Sequence, residues 1–258
     1  MHRARSHQVK VTGKRPVVEA LRAGRVSEVL IAQGAKGTDG LREVALAAGE
    51  AGVTVRRVPR RELDRLASDH RGVIAVLTGT SEYLGEELGE SDIARFPFDI
   101  DASVVVLDGV TDPQNLGAAA RVADAAGAAM LVTRVKRAAG VTDAAVRASA
   151  GALLTLPHAR VANIARALER LKDAGFTVAG LDAAAPTVFE RPCPDGRVAI
   201  VVGSEGSGLS RLVSEACDLL VSLPMRGQVE SLNASASLAA AMFSWIVPRG
   251  VDSGETPA

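Results

Sequence analysis

The feature that most limits the fold of this chain is the stretch from Val198 to Val247. Residues 198–202 read VAIVV, a short β-branched run typical of a strand buried on both faces of a parallel sheet. A glycine-rich loop (203–208), a short helix, a second apolar run (219–223), a polar loop and an Ala-rich helix follow. Loops after neighbouring parallel strands meet at the carboxyl edge of the sheet, where open α/β folds bind ligands. We therefore expect a ligand site between these two loops.

Each loop also has a simpler interpretation. Glycines after a strand often form turns, and Ser231 or Asn233 would be a suitable cap for the last helix, so this alternative stays open. The spacing Gly-x-x-Gly-x-Gly is not the dinucleotide fingerprint, and no Gly-Lys-Ser/Thr follows it. These two phosphate-binding motifs are therefore excluded.

Composition predicts a globular protein of one or two domains, since 47% of the 258 residues are hydrophobic. No apolar run is long enough to span a bilayer, and the N-terminus lacks the apolar core of a signal peptide, so we expect a cytoplasmic protein. Cys193, Cys217 and four scattered histidines show no metal-ligand spacing. We expect no metal, with Cys217 in the core and Cys193 in a loop.

A net charge of zero hides an uneven distribution of charge. Residues 1–80 contain 15 Lys and Arg against 8 Asp and Glu, whereas residues 81–258 contain 15 against 22. Helix and strand signals alternate over residues 9–79 and predict a small basic α/β domain, residues 1–80, that binds RNA through its phosphates. A solvated surface with segregated charges is the alternative. The arginines of this predicted domain cluster at Arg56, Arg57, Arg60, Arg61, Arg65 and Arg71.

A second domain is predicted over residues 102–248, after an acidic linker at 81–101 and before a disordered tail at 249–258. Its first buried strand, residues 104–107, leads to Asn115, which we interpret as the N-cap of an Ala-rich helix. Further strands and helices alternate up to Val247. This order indicates a parallel sheet with helices on both faces.

Three segments carry a family resemblance. LDGVTDPQNLGAAARVADAAGA, IVVGSEGSGLS and SLPMRGQVESLNASASLAAA resemble, in this order, the three motifs of the SpoU (TrmH-type) 2′-O-ribose RNA methyltransferases. The match covers residues 103–247. In the first third, GKRPVVEALRAG and DHRGVIAVLTG look like the N-terminal RNA-binding domain of the subgroup that methylates a guanosine in 23S rRNA.

The resemblance implies a fold, a cofactor and partners. The expected fold is α/β: a trefoil-knotted parallel-sheet methyltransferase domain preceded by a small α/β RNA-binding domain. The expected cofactor is S-adenosylmethionine, whose adenosyl part is held by backbone groups near Gly203, Leu223 and Leu232. The expected partners are 23S rRNA and a second copy of the chain, with the site at the subunit interface.

Five polar residues carry over as the catalytic set: Asn115 and Arg121 from the first motif, Glu205 from the second, and Ser231 and Asn233 from the third. Asn115 and Asn233 would hydrogen-bond the ribose or each other. Glu205 would orient Arg121 or Asn115, and Ser231 would position the nucleotide or brace its loop.

Arg121 is the residue we expect at the reacting centre. A guanidinium is a poor base, so we assign it the stabilisation of the developing alkoxide and the binding of the adjacent phosphate, with the general base unidentified. The alternative is an exposed helix arginine paired with Asp124. The neighbouring Gln114 is His in some relatives.

Other functions remain open at this point. A tRNA methyltransferase, an antibiotic-resistance rRNA methyltransferase or a non-catalytic RNA-binding protein would have the same fold. An NAD-dependent dehydrogenase would fit a sheet and a glycine loop taken alone. Binding of S-adenosylmethionine rather than a nicotinamide would distinguish the methyltransferase from the dehydrogenase.

Overall fold

The chain forms two units, each built on its own β-sheet. The computed structural model describes residues 8–35, 37–67, 70–80, 87–136, 138–228 and 231–250. The predicted disordered tail begins within a 3₁₀ turn at Val247–Gly250, and its remaining residues lie outside the described ones. Within the described residues, no helix combines the length and the apolar composition that a membrane span requires.

The first unit is a four-stranded sheet with three helices. Its strand order is β1-β4-β2-β3, so β3 lies at an edge; β2 and β3 are parallel and the other pairs antiparallel. The predicted basic α/β unit therefore has an additional strand, β1, that its sequence did not signal. The elements are β1 (Gln8–Thr12), α1 (Lys14–Arg22), β2 (Val26–Ala32), α2 (Asp39–Glu50), β3 (Thr54–Val58), α3 (Arg60–Leu66) and β4 (Val73–Thr80).

The second unit is a seven-stranded parallel sheet in the order β11-β9-β10-β6-β7-β8-β5. This confirms the predicted α/β architecture with a parallel sheet. Its elements are β5 (Glu87–Leu88), α4 (Glu90–Ile93), β6 (Ser103–Asp108), α5 (Pro113–Ala125), β7 (Met130–Arg134), α6 (Asp143–Ala148), a 3₁₀ turn (Ala152–Leu154), β8 (His158–Val161), α7 (Ile164–Asp173), β9 (Thr177–Leu181), β10 (Val198–Gly203), α8 (Arg211–Ala216), β11 (Leu219–Val221), α9 (Ala234–Ala241) and a π-helical turn (Met242–Ile246).

The central strands explain why their sequences are continuously apolar. In β6, Val105 and Leu107 face one core cluster, while Val104 and Val106 face another on the opposite side of the sheet. Strand β10 alternates in the same way, and all six of its residues are buried. Both faces of the sheet are thus covered by helices, which an alternating polar pattern would not permit.

Part of the predicted linker belongs to the second unit. Strand β5 pairs with β8 at the edge of the parallel sheet, and Ile93 and Phe98 are buried in its core.

Strand β8 also lacked a sequence signal, because it is short and begins with His158. That imidazole lies 2.8 Å from the hydroxyl of Thr133, and burial, with the charge of Arg160, lowers its pKa to about 4.

The predicted start of α5 is wrong. Asp112, not Asn115, is the N-cap, and its Oδ1 accepts the amide N–H of Gln114 at 3.0 Å. Pro113 occupies the first helical position, where its fixed φ and missing N–H favour helix initiation. Asn115 therefore lies in the first turn, with its side chain free to reach another segment. The trefoil knot that the resemblance implies stays a prediction.

Candidate active site

The loop after β10 turns back sharply on itself. The backbone N–H of Ser204 donates to the carbonyl of Gly208 at 3.1 Å, and the N–H of Gly208 donates in return at 3.0 Å. A Cβ on Gly203 would lie 2.1 Å from the carbonyl carbon of Gly208. No side chain fits at this position, so glycine is required here by close contact between backbone segments.

A cleft of about 390 Å³ opens above this loop, at the carboxyl edge of the parallel sheet. We call it the glycine-loop cleft. Five of the eight predicted site residues line it: Gly203, Glu205, Leu223, Ser231 and Leu232. Most of the loops that form the cleft were thus predicted from the sequence.

One wall of the cleft was missed. Leu181, the last residue of β9, lines the cleft with the two residues after it, Asp182 and Ala183, and with Met225 and Ser237. Strand β9 lies next to β10 in the sheet. The signal that would have found them is the strand order, since loops after adjacent parallel strands share an edge.

The charged side chains among the described residues that line the cleft are all acidic. Asp182 and Glu205 are its two carboxylates, and the described residues that line it include no Lys, Arg or His. A phosphate or pyrophosphate group would find no basic side chain there. A cationic ligand with an apolar part would find both carboxylates and leucine side chains.

Three of the predicted polar residues form one hydrogen-bond network at the cleft. The amide of Asn115 donates to Oε1 of Glu205 at 3.0 Å, and the amide of Asn233 donates to Oδ1 of Asn115 at 2.9 Å and to Oε1 of Glu205. Of the two partners expected for Glu205, Arg121 and Asn115, the structure shows the bond with Asn115. The three motifs, separated by up to 118 residues, meet at this point.

Asn233 has two roles in the structure. Its Oδ1 accepts from the backbone N–H of Ser235 at 2.9 Å and of Ala236 at 3.4 Å, which caps α9, while its Nδ2 donates to the network. The helix cap and the predicted bond between the two asparagines therefore both occur, one at each end of the amide group, and the catalytic role of Asn233 stays a prediction.

The network is held in place from beneath by buried contacts. Asp108 at the end of β6 is buried, and its Oδ2 accepts the backbone N–H of Ser210 at 2.8 Å, which links the β6 and β10 loops. Helix α5 packs closely on α6, since a Cβ on Gly117 would lie 2.3 Å from the carbonyl oxygen of Ala145. These contacts fix the helix that carries Asn115.

Arg121 lies apart from the network. It is exposed on α5, six residues or about 9 Å of helix rise beyond Asn115, and it is not among the described residues lining the cleft. In the described part of the chain, it forms no ion pair with Asp124 or Glu205. Its positive charge opposes the rise in the pKa of Glu19 of α1 that burial causes.

The predicted RNA-binding arginines occupy the edge strand and the helix after it. Arg56 forms ion pairs with Glu28 at 3.0 Å and Glu62 at 3.6 Å. Arg71 is exposed in the turn before β4. The remaining four are exposed and form no ion pair with another described residue; we call them the arginine face: Arg57, Arg60, Arg61 and Arg65.

The two cysteines lie apart and are not bonded to each other. Cys217 packs against the core, donates to the carbonyl of Val213, and has its pKa raised to about 12 by burial, so it is an unreactive thiol. No group of three or more His, Cys, Asp or Glu side chains suited to a metal occurs in the described segments.

Family comparisons match both units. Residues 102–243 match the SpoU rRNA Methylase family, and residues 10–83 match the RNA 2′-O ribose methyltransferase substrate binding family. An uncharacterized tRNA/rRNA methyltransferase of Mycolicibacterium vanbaalenii is 42% identical, over 87% of this chain and 72% of that protein. A TrmH family tRNA/rRNA methyltransferase of Bacillus subtilis is 39% identical, over 90% of this chain and 93% of its own length.

Solved structures show the same fold over almost the entire chain. The SpoU methyltransferase AviRb from Streptomyces viridochromogenes, crystallised with the cofactor AdoMet, has 28% identity and a TM-score of 0.76, covering 95% of this chain and 91% of AviRb. An RNA 2′-O ribose methyltransferase has 26% identity and a TM-score of 0.75, covering 95% and 89%. The family resemblance of the three motifs is thereby confirmed: the chain belongs to the SpoU family of S-adenosylmethionine-dependent RNA methyltransferases.

Proposed function

We propose that this enzyme transfers a methyl group from S-adenosylmethionine to a ribose 2′-hydroxyl of RNA, and that the acceptor is a guanosine in 23S rRNA. The observation that carries the proposal is the meeting of all three motifs at Glu205, a residue that lines the cleft and accepts amide donors from Asn115 and Asn233. The match of residues 10–83 to a ribose methyltransferase substrate-binding family supports the ribose as acceptor.

The cleft suits S-adenosylmethionine in volume and in charge. Its 390 Å³ falls within the range of small-molecule sites, about 300–1,000 Å³. Leu223 and Leu232 offer apolar surface to the adenine, and the absence of a side chain on Gly203 lets the backbone of Gly208 close the turn that lines the cleft. Asp182 and Glu205 complement the positive sulfonium and ammonium groups. A nicotinamide dinucleotide is disfavoured, because the glycine spacing is not the dinucleotide fingerprint and the described lining has no basic side chain for the pyrophosphate.

The chain's own residues supply alignment and charge stabilisation. Bound S-adenosylmethionine supplies an electrophilic methyl group, and the ribose hydroxyl must be aligned with it while its proton leaves. Asn115 and Asn233 are held by Glu205 in a fixed orientation suited to hydrogen bonds with the ribose. Ser231 lines the same cleft and positions the nucleotide. Arg121 stabilises the developing alkoxide and binds the adjacent phosphate.

A homodimer is part of the proposal. Arg121 lies outside the cleft of its own chain, and exposed apolar side chains surround the motif segments, with Phe243 49% and Leu232 42% exposed. Burial of such surfaces against a second copy would stabilise association. Light scattering should give twice the mass of one chain; a monomer that transfers methyl groups would contradict the dimer.

RNA binding is assigned to the first unit. The arginine face presents four exposed guanidinium groups, one on β3 and three on α3, that form no ion pair with another described residue, and phosphate is the ligand that such groups bind bidentately. We retain residues 1–80 as the substrate-binding domain and 102–248 as the methyltransferase domain, and we add residues 87–101 to the latter because β5 pairs in its sheet. Action on rRNA supports the cytoplasm as its location.

Mapping of 2′-O-methyl groups tests the proposal. Ribosomal RNA from cells with and without this gene should differ at one guanosine of 23S rRNA, and the purified enzyme should restore it with labelled S-adenosylmethionine. A lost methyl group in tRNA instead would identify the tRNA enzyme. Unchanged RNA, with no methyl transfer in vitro, would favour a non-catalytic RNA-binding protein.

A further inference from the structure

Asp182, the first residue after β9, is fixed on a tight turn beside β11. Its backbone N–H donates to the carbonyl of Val221 at 2.9 Å, and its Oδ1 accepts the backbone N–H of Ala184 at 2.9 Å. The segment that follows stays beside the end of β11, since the hydroxyl of Ser222 donates to the carbonyl of Ala185 at 2.7 Å. The backbone of Asp182 and the direction of its side chain are therefore both constrained.

The turn explains the side-chain oxygen of Asp182 but not its charge. Asparagine forms the same turn, because the backbone N–H of Ala184 needs only one carbonyl-type oxygen as its acceptor. Among the residues that the structure describes, no cationic side chain forms an ion pair with Asp182, and none donates a hydrogen bond to its Oδ2. The half-buried carboxylate thus brings to the cleft a negative charge that the turn does not need.

The order of the strands places this charge on the cofactor side of the cleft. Strand β9 lies between β10, which ends at Gly203, and β11, whose loop carries Leu223. The loops of these two strands are the ones expected to hold the adenosyl part of the cofactor. Asn115 lies on the helix after β6, on the far side of β10 from β9. Asp182 therefore comes between the two cofactor loops, whereas Asn115 lies beyond them.

The other carboxylate of the cleft has different partners. Oε1 of Glu205 accepts amide groups from both Asn115 and Asn233. Hydrogen bonds to an ionised carboxylate stabilise its charge, so these donors already satisfy part of the charge of Glu205. Asp182 receives one backbone N–H and no side-chain donor from the described residues. Asp182 is thus the carboxylate of the cleft that has more of its charge available to a cationic ligand.

We propose that Asp182 is a specificity-determining residue: it distinguishes the cofactor S-adenosylmethionine from the product S-adenosylhomocysteine by the charge on sulfur. The two molecules share their adenosyl, amino and carboxylate groups, but the sulfur is a cationic sulfonium in the cofactor and a neutral thioether in the product. In a cleft whose described lining has no basic side chain, an unpaired carboxylate attracts only the sulfonium form of this atom. The inference rests on the proposed assignment of the cleft to the cofactor. Its consequence is weaker binding of the product, which favours product release after methyl transfer.

Calorimetric titration of the full-length chain and its Asp182→Asn variant tests the proposal. Asparagine keeps the acceptor for the N–H of Ala184 and removes only the charge, so the variant should fold as the wild type does. We expect the variant to bind S-adenosylmethionine about tenfold more weakly and S-adenosylhomocysteine within about twofold of wild type. Asp195→Asn, which removes an exposed carboxylate from the same segment outside the cleft, is the matched control and should leave both affinities unchanged.

A third ligand, 5′-methylthioadenosine, separates this role from two others, because it has the ribose and a neutral thioether but no amino group. It should bind wild type and Asp182→Asn alike. Equal losses for the cofactor and the product, with none for 5′-methylthioadenosine, would assign Asp182 to the ammonium group. Equal losses for all three ligands would assign it to the ribose. Either result, or affinities that Asp182→Asn leaves unchanged, would overturn the proposal.

Those outcomes leave the cofactor cleft in place, because each of them requires that the ligands bind. A wild type that binds no S-adenosylmethionine would instead overturn the assignment of the cleft, and this inference with it. The identity of the methylated RNA does not enter the measurement.

Discussion

Glu205 at the glycine-loop cleft receives amide groups from two other segments of the chain, whereas Arg60 and Arg61 on the arginine face extend into solvent with no described ion-pair partner. The first arrangement fixes direction, because two amide groups converge on one carboxylate oxygen. The second provides charge without fixed geometry. Changes at the cleft should therefore be large and specific to one residue, and changes on the arginine face small, cumulative and dependent on salt.

The largest effect is expected for Arg121→Lys, which keeps the positive charge but loses the planar guanidinium group. If Arg121 acts through directed hydrogen bonds, single-turnover methyl transfer should fall about a hundredfold. S-adenosylmethionine affinity should stay unchanged, and unfolding free energy should stay within about 0.5 kcal/mol, since the side chain is exposed. A rate close to wild type in the folded variant would show that Arg121 is a surface charge, like the residues of the arginine face.

Asn233→Ser should have the next largest effect and separates the two roles of this residue. Serine retains an N-cap oxygen for α9, so thermal stability should change little, but the amide donor to Asn115 and Glu205 is lost. We expect about a tenfold loss of methyl transfer, measured beside thermal melting. Ser235→Ala is the control: it removes the hydroxyl that bonds Asn233 Oδ1 at 2.6 Å and leaves the Nδ2 donors in place. If the loss of stability accounts for the loss of methyl-transfer rate, Asn233 acts only as the cap of α9.

The smallest effect is expected for charge reversal on the arginine face. Each phosphate contact contributes about 0.7–0.9 to the slope of log affinity against log salt, so Arg60→Glu with Arg61→Glu should lower the slope by roughly 1.5 and weaken RNA binding. Cofactor affinity should not change. Arg42→Glu, an exposed arginine of α2 that pairs with Asp39 at 3.5 Å, is the matched control. An unaltered slope would leave the arginine face as solvated surface.

The sequence predicts some strands and site residues correctly and misses others. The run VAIVV predicted β10 because a strand covered on both faces must be apolar throughout, and Gly203 was found because the loop after such a strand lies at the ligand edge. Strands β5 and β8 were missed because they are short and carry polar residues. Asp182 was missed because its place in the cleft depends on β9 lying beside β10, which no local pattern states.

The sequence identifies residues that take part in long-range contacts, but it does not show which of them contact each other. The motifs named Asn115, Glu205 and Asn233, yet the bond between Asn115 and Glu205 joins residues 90 positions apart, and spacing alone left Arg121 as an equal partner. The helix start at Pro113 was, by contrast, available from the preference of proline for the first helical turn.

The most direct test of the glycine-loop cleft as the cofactor site is calorimetric titration of S-adenosylmethionine into wild type, Gly203→Ala and Gly117→Ala. Both substitutions add a methyl group to a closed backbone contact, at 2.1 Å from Gly208 and 2.3 Å from Ala145, and both should lower stability by about 1–3 kcal/mol. Only Gly203 lies in the cleft. We predict one site per chain in wild type, similar affinity in Gly117→Ala, and at least hundredfold weaker binding in Gly203→Ala. Wild-type affinity in a folded Gly203→Ala protein, or no binding by the wild type, would contradict the assignment of this cleft.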